Sequence, residues 1–296
     1  MEIASVRLLL NRLPFWPFHR RIESNHLFQT NLYAMFPTAV VLCVLFRGTP
    51  MTTQPPEAVQ VRSLEKSFGE WPVLWNLDLS VPWGQALVLF GANGAGKTTL
   101  LRILATHVKA DHGSVAVAGH NLRNRPENAR RRIGVVGHRS LLYDDLTCRE
   151  NLIYYSRLFG LKDYKPRVDE VLAKVRLGDR ADHRVRTLSN GMQKRASIAR
   201  AILHQPDVLL LDEPETGLDR ESVSILGTLL AEWTDSGRSV VMTTHDLDLG
   251  LSWGHRAGVL RGGKINFPDA EFADTGNPSK KDDVRQAIAS ALESGQ

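Results

Sequence analysis

Short unbroken apolar runs recur through the middle of the chain and read as buried strands. Residues 86–90 (Ala-Leu-Val-Leu-Phe), 133–136 (Ile-Gly-Val-Val), 208–211 (Val-Leu-Leu-Leu) and 239–242 (Ser-Val-Val-Met) offer almost no polar face to water. Such runs suit strands of a sheet covered on both sides. A further strand opens near Val59. Between residues 149 and 203 the period changes. Apolar positions at Leu152, Tyr155, Leu158 and Phe159, then at Val168, Val171, Leu172 and Val175, follow the spacing of amphipathic helices, and a third pattern runs through Ile198, Ala201 and Ile202. The pattern predicts an α/β domain with a helical insert at about 149–203.

The strand at 86–90 runs directly into Gly91-Ala92-Asn93-Gly94-Ala95-Gly96-Lys97-Thr98-Thr99, and a helix-like stretch follows. In that setting the loop is a phosphate cradle. Backbone N–H groups of Gly91, Asn93, Gly94, Ala95 and Gly96, together with Thr99, can converge on phosphates, Lys97 can reach the β and γ phosphates, and the Thr98 hydroxyl can ligate Mg²⁺. A plain glycine-rich turn has no use for a lysine and two threonines. The run at 208–211 ends in Asp212-Glu213-Pro214, so two carboxylates arrive at a strand's C-terminal end, where open α/β sheets bind their ligands. Asp212 is placed to hold Mg²⁺ through water, and Glu213 to act on an attacking water as general base or orienting group. Two adjacent acids could merely cap the next helix, but downstream of Lys97 the catalytic reading is the stronger one.

Between these motifs lies Leu188-Ser189-Asn190-Gly191-Met192, followed by Gln193-Lys194-Arg195 and a helix. Here the chain resembles the ATP-binding cassette family, with phosphate loop, signature, Leu-Leu-Leu-Asp-Glu-Pro, a D-loop at Gly217-Leu218-Asp219 and a switch histidine at Thr244-His245 in the family's order over residues 59–267. The resemblance implies a P-loop NTPase with a mixed-sheet core and helical subdomain, binding ATP and Mg²⁺. It implies that Ser189 and Gly191 meet the γ-phosphate held by a second cassette, that His245 approaches that phosphate and keeps water in line for Glu213, and that Phe68 stacks on adenine; for Phe68 a place in the core is the competing reading. Asn190 and Met192 depart from the family signature, and the contacts of the usual glutamine are lost or pass to Gln193. The family's other glutamine, which reads the metal and the membrane partner, is absent from Gly137-His138-Arg139-Ser140. His138 or Arg139 stands there, and a neutral histidine is the better partner for a metal-bound water.

Composition narrows the rest. At 296 residues with one phosphate loop and no internal repeat, the chain fits one large domain, expected over 51–268, and a full pair of ATP sites needs a second copy. Cys43 and Cys148 have no zinc spacing and are too few for a disulfide scaffold. Of the net charge of +5, about +3 comes from five arginines and two glutamates in residues 1–50, so the rest gives little reason to expect direct nucleic-acid binding. The apolar stretch at 32–46 is about fifteen residues, shorter than the roughly twenty of a spanning helix. Two readings of residues 1–50 stay open, an upstream extension with Met51 as the natural start, or an amphipathic membrane anchor. Residues 269–296 read as a polar tail with one short helix at 282–292.

The expected function is the ATP-hydrolysing subunit of an exporter, a homodimer on the cytoplasmic face of the cell membrane beside a separate permease. The loop after residue 136 and the signature are similar to the haem exporters of cytochrome c maturation. Cassettes exporting drugs, lipids or polysaccharides are the alternative, and a cassette acting on ribosomes or DNA is a more distant one.

Overall fold

The computed structural model describes residues 57–267 and 278–293. The expectations for residues 1–50, including Met51 as a start and Cys43, lie outside the described residues. The described residues belong to one compact unit.

β1 (Glu57–Phe68) and β2 (Trp71–Pro82) form an antiparallel hairpin, joined through β1 to β4 (His112–Val117) and then β5 (His120–Asn121). β3 (Ala86–Phe90) enters a second sheet, and α1 (Lys97–Leu104) follows it. α2 (Pro126–Arg130) leads to β6 (Ile133–Val136), and the helical insert follows as α3 (Cys148–Leu158), α4 (Tyr164–Lys174) and α5 (Asn190–Ile202). The chain then returns through β7 (Val208–Asp212), α6 (Arg220–Asp235), β8 (Ser239–Thr243), α7 (Leu247–Trp253), β9 (Arg256–Arg261) and β10 (Lys264–Asn266), and α8 (Pro278–Glu293) closes the described chain. The second sheet has the order β10-β9-β3-β8-β7-β6, antiparallel only at β10.

The apolar runs are explained by the two faces of this sheet. Ala86, Val88, Phe90, Leu209 and Leu211 enter one core with the helical insert, while Leu87, Leu89, Val208 and Leu210 enter another with α1 and the antiparallel sheet. Alternate side chains of a strand point to opposite faces, so a strand covered on both sides must be apolar throughout.

The helical insert begins with a capping box in which the Thr147 side chain accepts from Glu150 N and Glu150 accepts from Thr147 N. Its inward face differs from the expected one. Leu158 is 67% exposed, whereas Asn151 and Ser156 are buried. Asn151 can be buried because its amide donates to the carbonyls of Tyr143 and Thr147 while its carbonyl accepts from Tyr143 N.

The short helix expected at 282–292 lies within α8. α8 is longer than the stretch at 282–292 and docks on the domain. Val284 and Ile288, one turn apart, are buried in the core, and Arg285 pairs with Asp248 on α7. Four residues of spacing put these two apolar side chains on one face, and a pair of large apolar residues gives little sign by itself of what they pack against.

His204 sits just past α5, stacked on Phe159 at 3.9 Å between ring centroids, with Nε2 donating to the Ile133 carbonyl at 3.0 Å and Nδ1 buried without a partner. Burial first, with Arg200 and Arg167 adding to it, pushes its pKa down to about 4 against the lesser opposing effect of the Ile133 bond. The neutral ring is therefore favoured by folding, so its contribution is full above pH 6.5 and is lost as pH falls toward 4, by about 3 kcal/mol. Denaturant titrations across pH 7 to 4 should show a steeper loss for the parent than for His204→Gln; equal slopes would contradict this.

Candidate active site

Four adjacent parallel strands bring the site together. In register, Leu89 of β3 lies beside Thr243 of β8, Thr243 beside Asp212 of β7, and Val136 of β6 beside Leu211. The segments leaving their C-terminal ends carry the phosphate loop, His245, Asp212-Glu213 and His138.

The phosphate loop turns into α1 through Gly96, whose φ of 105° is left-handed and whose Cβ would lie 2.9 Å from the Leu74 side chain and 3.2 Å from Val73. A larger residue there would meet both the strained backbone and β2. Gly91 is tight as well, since a Cβ would come within 2.5 Å of the Leu260 carbonyl. Lys97 reaches back across the loop, its ammonium donating to the carbonyls of Gly91 at 2.7 Å and Ala92 at 3.2 Å. Burial holds its pKa below the ordinary lysine value, opposed by the carboxylates of Glu213 and Asp212. Asn93 and Gly94 are exposed at the loop tip, Ala95 and Thr99 are partly covered, and Thr98 opens the side that faces Asp212.

Asp212 is buried and accepts at Oδ1 from Thr243 Oγ1 at 2.8 Å and from Thr98 Oγ1 at 3.3 Å, while His138 Nε2 lies 3.5 Å from its Oδ2. No group of three or more His, Cys, Asp or Glu that could hold a metal occurs among the described residues. One carboxylate and one hydroxyl nevertheless suit Mg²⁺, which keeps waters and shares phosphate oxygens and does not need an all-protein cage, and the His138 imidazole is placed to meet a metal-bound water and not the ion itself. These donors line one end of a cavity of about 550 Å³ that continues past Leu101, Ala105 and Leu141.

Glu213 has a left-handed backbone, φ 48°, uncommon for a residue with a side chain. Its N–H is fixed by the Thr243 carbonyl and hydroxyl, each at 3.1 Å, and its carbonyl accepts from Lys194 at 3.2 Å. A strained residue held at both ends in this way is typical of functional positions. Its Oε1 meets His245 Nε2 at 2.6 Å. Thr243 and Lys194 were not identified from sequence; a threonine ending a strand gave no sign that it serves both Asp212 and Glu213, nor a lysine in a basic helix that it reaches the Glu213 carbonyl.

The signature is placed apart from this cluster. The Ser189 side chain caps α5 by accepting from Met192 N at 3.3 Å, and a Cβ built on Gly191 would lie 3.6 Å from Gly217 O and from Ser222 Oγ. The signature therefore packs on the Gly217-Leu218-Asp219 segment. Asp219 caps α6 through Ser222 N at 2.8 Å. Gln193, suggested as a substitute for the lost glutamine, donates instead to the Leu188 carbonyl at 3.1 Å. Phe68 ends β1 at the hairpin tip, 48% exposed, with Lys66 Nζ 5.2 Å from its ring centroid. The core alternative for Phe68 does not hold. Arg139 is exposed, and it is His138 that lies against Asp212.

Residues 74–216 match the ABC transporter family. The chain is 37% identical over 217 residues to the daunorubicin/doxorubicin resistance ATP-binding protein DrrA of Streptomyces peucetius, covering 73% of this chain and 66% of that one. It is 37% identical over 212 residues to the Nod factor export ATP-binding protein I of Paraburkholderia xenovorans, covering 71% and 70%. The chain belongs to the ABC transporter ATP-binding cassettes. These are ATPases coupled to transport. Among solved structures, an ATP-binding subunit of an ABC transporter superimposes with a TM-score of 0.69 at 25% identity, covering 77% of this chain and 94% of that one. A dimeric cassette in a post-hydrolysis state with ADP and Pi gives 0.64 at 28% identity, covering 70% and 96%.

Replacing Lys97 by Ala removes the cation of the cradle and should lower ATP turnover by about 10² to 10³ or more, measured as phosphate release by the purified chain. Near-normal release would remove the phosphate loop from the site.

Proposed function

We propose that the chain is the energising subunit of an exporter, hydrolysing ATP as a pair of copies that drives a separate membrane subunit. The observation that carries this reading is the Glu213–His245 contact of 2.6 Å at the ends of β7 and β8, beside the loop that holds Lys97. Loop amides and Lys97 would hold the β and γ phosphates. Thr98 and Asp212 would hold Mg²⁺, with His138 in reach through water, and the ion would neutralise phosphate charge. Glu213 would orient and deprotonate the attacking water, and His245 would keep that carboxylate aimed. Ser189 and Gly191 of a second copy would close the site by presenting a helix N-terminus to the γ-phosphate. A nucleotide held between two copies favours the closed pair, so binding and hydrolysis shift the population that the membrane subunit follows.

No helix among the described residues is long and apolar enough to cross a membrane, which supports a separate permease. A surface suited to it adjoins the His138 loop. Leu141, Tyr143, Tyr154 and Leu158 are exposed, and Tyr143 meets Tyr154 edge-on with ring centroids 5.1 Å apart. Exposed apolar clusters of this kind mark protein contacts. A place on the cytoplasmic face of the membrane follows from that docking.

For the cargo, the two cited relatives are named for drug resistance and for Nod factor export. They favour an exporter of the drug or Nod-factor kind over a haem exporter. The haem reading, drawn from the His138 loop and the signature, gains no support from these names.

Glu213→Gln should bind ATP yet hydrolyse it about 10² to 10⁴ times more slowly and accumulate as an ATP-stabilised dimer on gel filtration; normal turnover, or dimers formed equally without ATP, would overturn the mechanism. For the cargo, a Lys97→Ala strain should become sensitive to a drug or lose a surface glycan while keeping covalent haem on its c-type cytochromes. Loss of that haem alone would restore the haem reading.

A further inference from the structure

α5 is stitched to β6 and the loop after it by three polar side chains on one face. Lys194 donates to the Gly137 carbonyl at 3.4 Å, Ser197 to the Ser140 carbonyl at 3.0 Å, and Arg200 to the Val135 carbonyl at 2.6 Å. The spacing of three residues keeps all three on one side of the helix. Lys194 alone of the three also reaches the residue just past β7, donating to the Glu213 carbonyl at 3.2 Å. Val136 and Leu211 are register partners in the parallel ladder. Gly137 follows the end of β6 and Glu213 the end of β7, and the ammonium bridges the two carbonyls beyond the strand ends. Both carbonyls are partly buried, and that of Glu213 also accepts from Thr216 N at 3.2 Å, so Lys194 is the donor that ties it to β6 and the signature helix.

The position is electrostatically unusual for a helix lysine. Lys194 is half-buried and faces Glu215, Asp212 and Glu213, and burial holds its pKa below the ordinary value against the pull of those three acids. With Thr243 on the N–H of Glu213 and Lys194 on its carbonyl, the strained backbone of the acid is clamped from β8 on one side and from the signature helix on the other. We propose that Lys194 is a positioning residue for hydrolysis, tying Glu213 to the signature helix and the His138 loop so that displacement of either is carried to the carboxylate. The inference rests on the ATPase reading given above.

The test is steady-state ATP turnover by the full chain, purified with its accompanying membrane proteins, with melting temperature measured alongside. Lys194→Met keeps the aliphatic stem and loses the donors, and should lower kcat by about 10- to 100-fold, the scale expected of a catalytic group displaced by about 1 Å, with the KM for ATP changed less than about threefold. Lys194→Arg, which retains the charge and several donors, should recover most of the loss. In a Glu213→Gln background, Lys194→Met should cause no further fall, because the two residues act through one carboxylate. If Lys194→Met melts well below the parent, Lys194→Gln, which keeps a donor without the charge, takes its place in the same comparison. Unchanged kcat in Lys194→Met, or a loss that persists undiminished in the Glu213→Gln background and is not rescued by arginine, would overturn the inference. A parent chain that does not hydrolyse ATP would overturn the proposed function instead, so the two failures are distinct.

Discussion

The parallel pairing of β6, β7, β8 and β3 is the constraint on which the rest of the structure depends. Each strand is a few residues long and apolar on both faces, so a register slip of one residue would move its side chains between the two cores. The same register fixes where the strands end. Thr243 beside Asp212 and beside Leu89 brings the loop carrying Lys97, the Asp212 carboxylate and His245 to one edge. Hydrophobic burial, which has no directional chemistry, thus sets the positions of the polar groups.

Polar contacts then refine that edge. Thr243 serves Asp212 with its hydroxyl proton and Glu213 with its oxygens, so one side chain relates the two acids. A buried hydroxyl bonded on both sides is costly to misplace because each lost bond leaves a desolvated partner. Glu213 in turn meets His245, and its unusual backbone is tolerated because its N–H and carbonyl are both held. Lys97 bridges the loop it belongs to. The site is compact within one chain except at the signature, whose Ser189 and Gly191 lie against the Gly217 segment.

The helical insert and α8 cover the face of the sheet opposite α1. The insert carries the signature and bears an exposed aromatic cluster. Its bonds to the loop after β6 join the exposed surface around Tyr143 and Tyr154 to the loop carrying His138. A contact at Tyr143 or Tyr154 is therefore connected, through α5 and this loop, to the edge where Asp212 and Glu213 stand.

The sequence by itself determined the strands that build the site and the residues at their ends. Lys97, Asp212, Glu213 and His245 are legible because continuous apolar runs followed by glycines, acids or a histidine leave few alternatives for a covered parallel sheet. The insert was legible as helices, but its buried face was not. Leu158 turns outward and Asn151 inward, because hydrogen bonds from neighbouring backbone, invisible to a pattern of apolar positions, make a polar side chain cheaper to bury than its type suggests. The docking of α8 rests on two apolar residues whose value depends on a groove supplied by α7 and β9. Only the tertiary structure decided that His138, and not Arg139, faces Asp212, that Phe68 stays exposed, and that Thr243 and Lys194 clamp Glu213. Each of these depends on carbonyls and side chains distant in sequence converging at one edge, and local periodicity carries no record of that convergence.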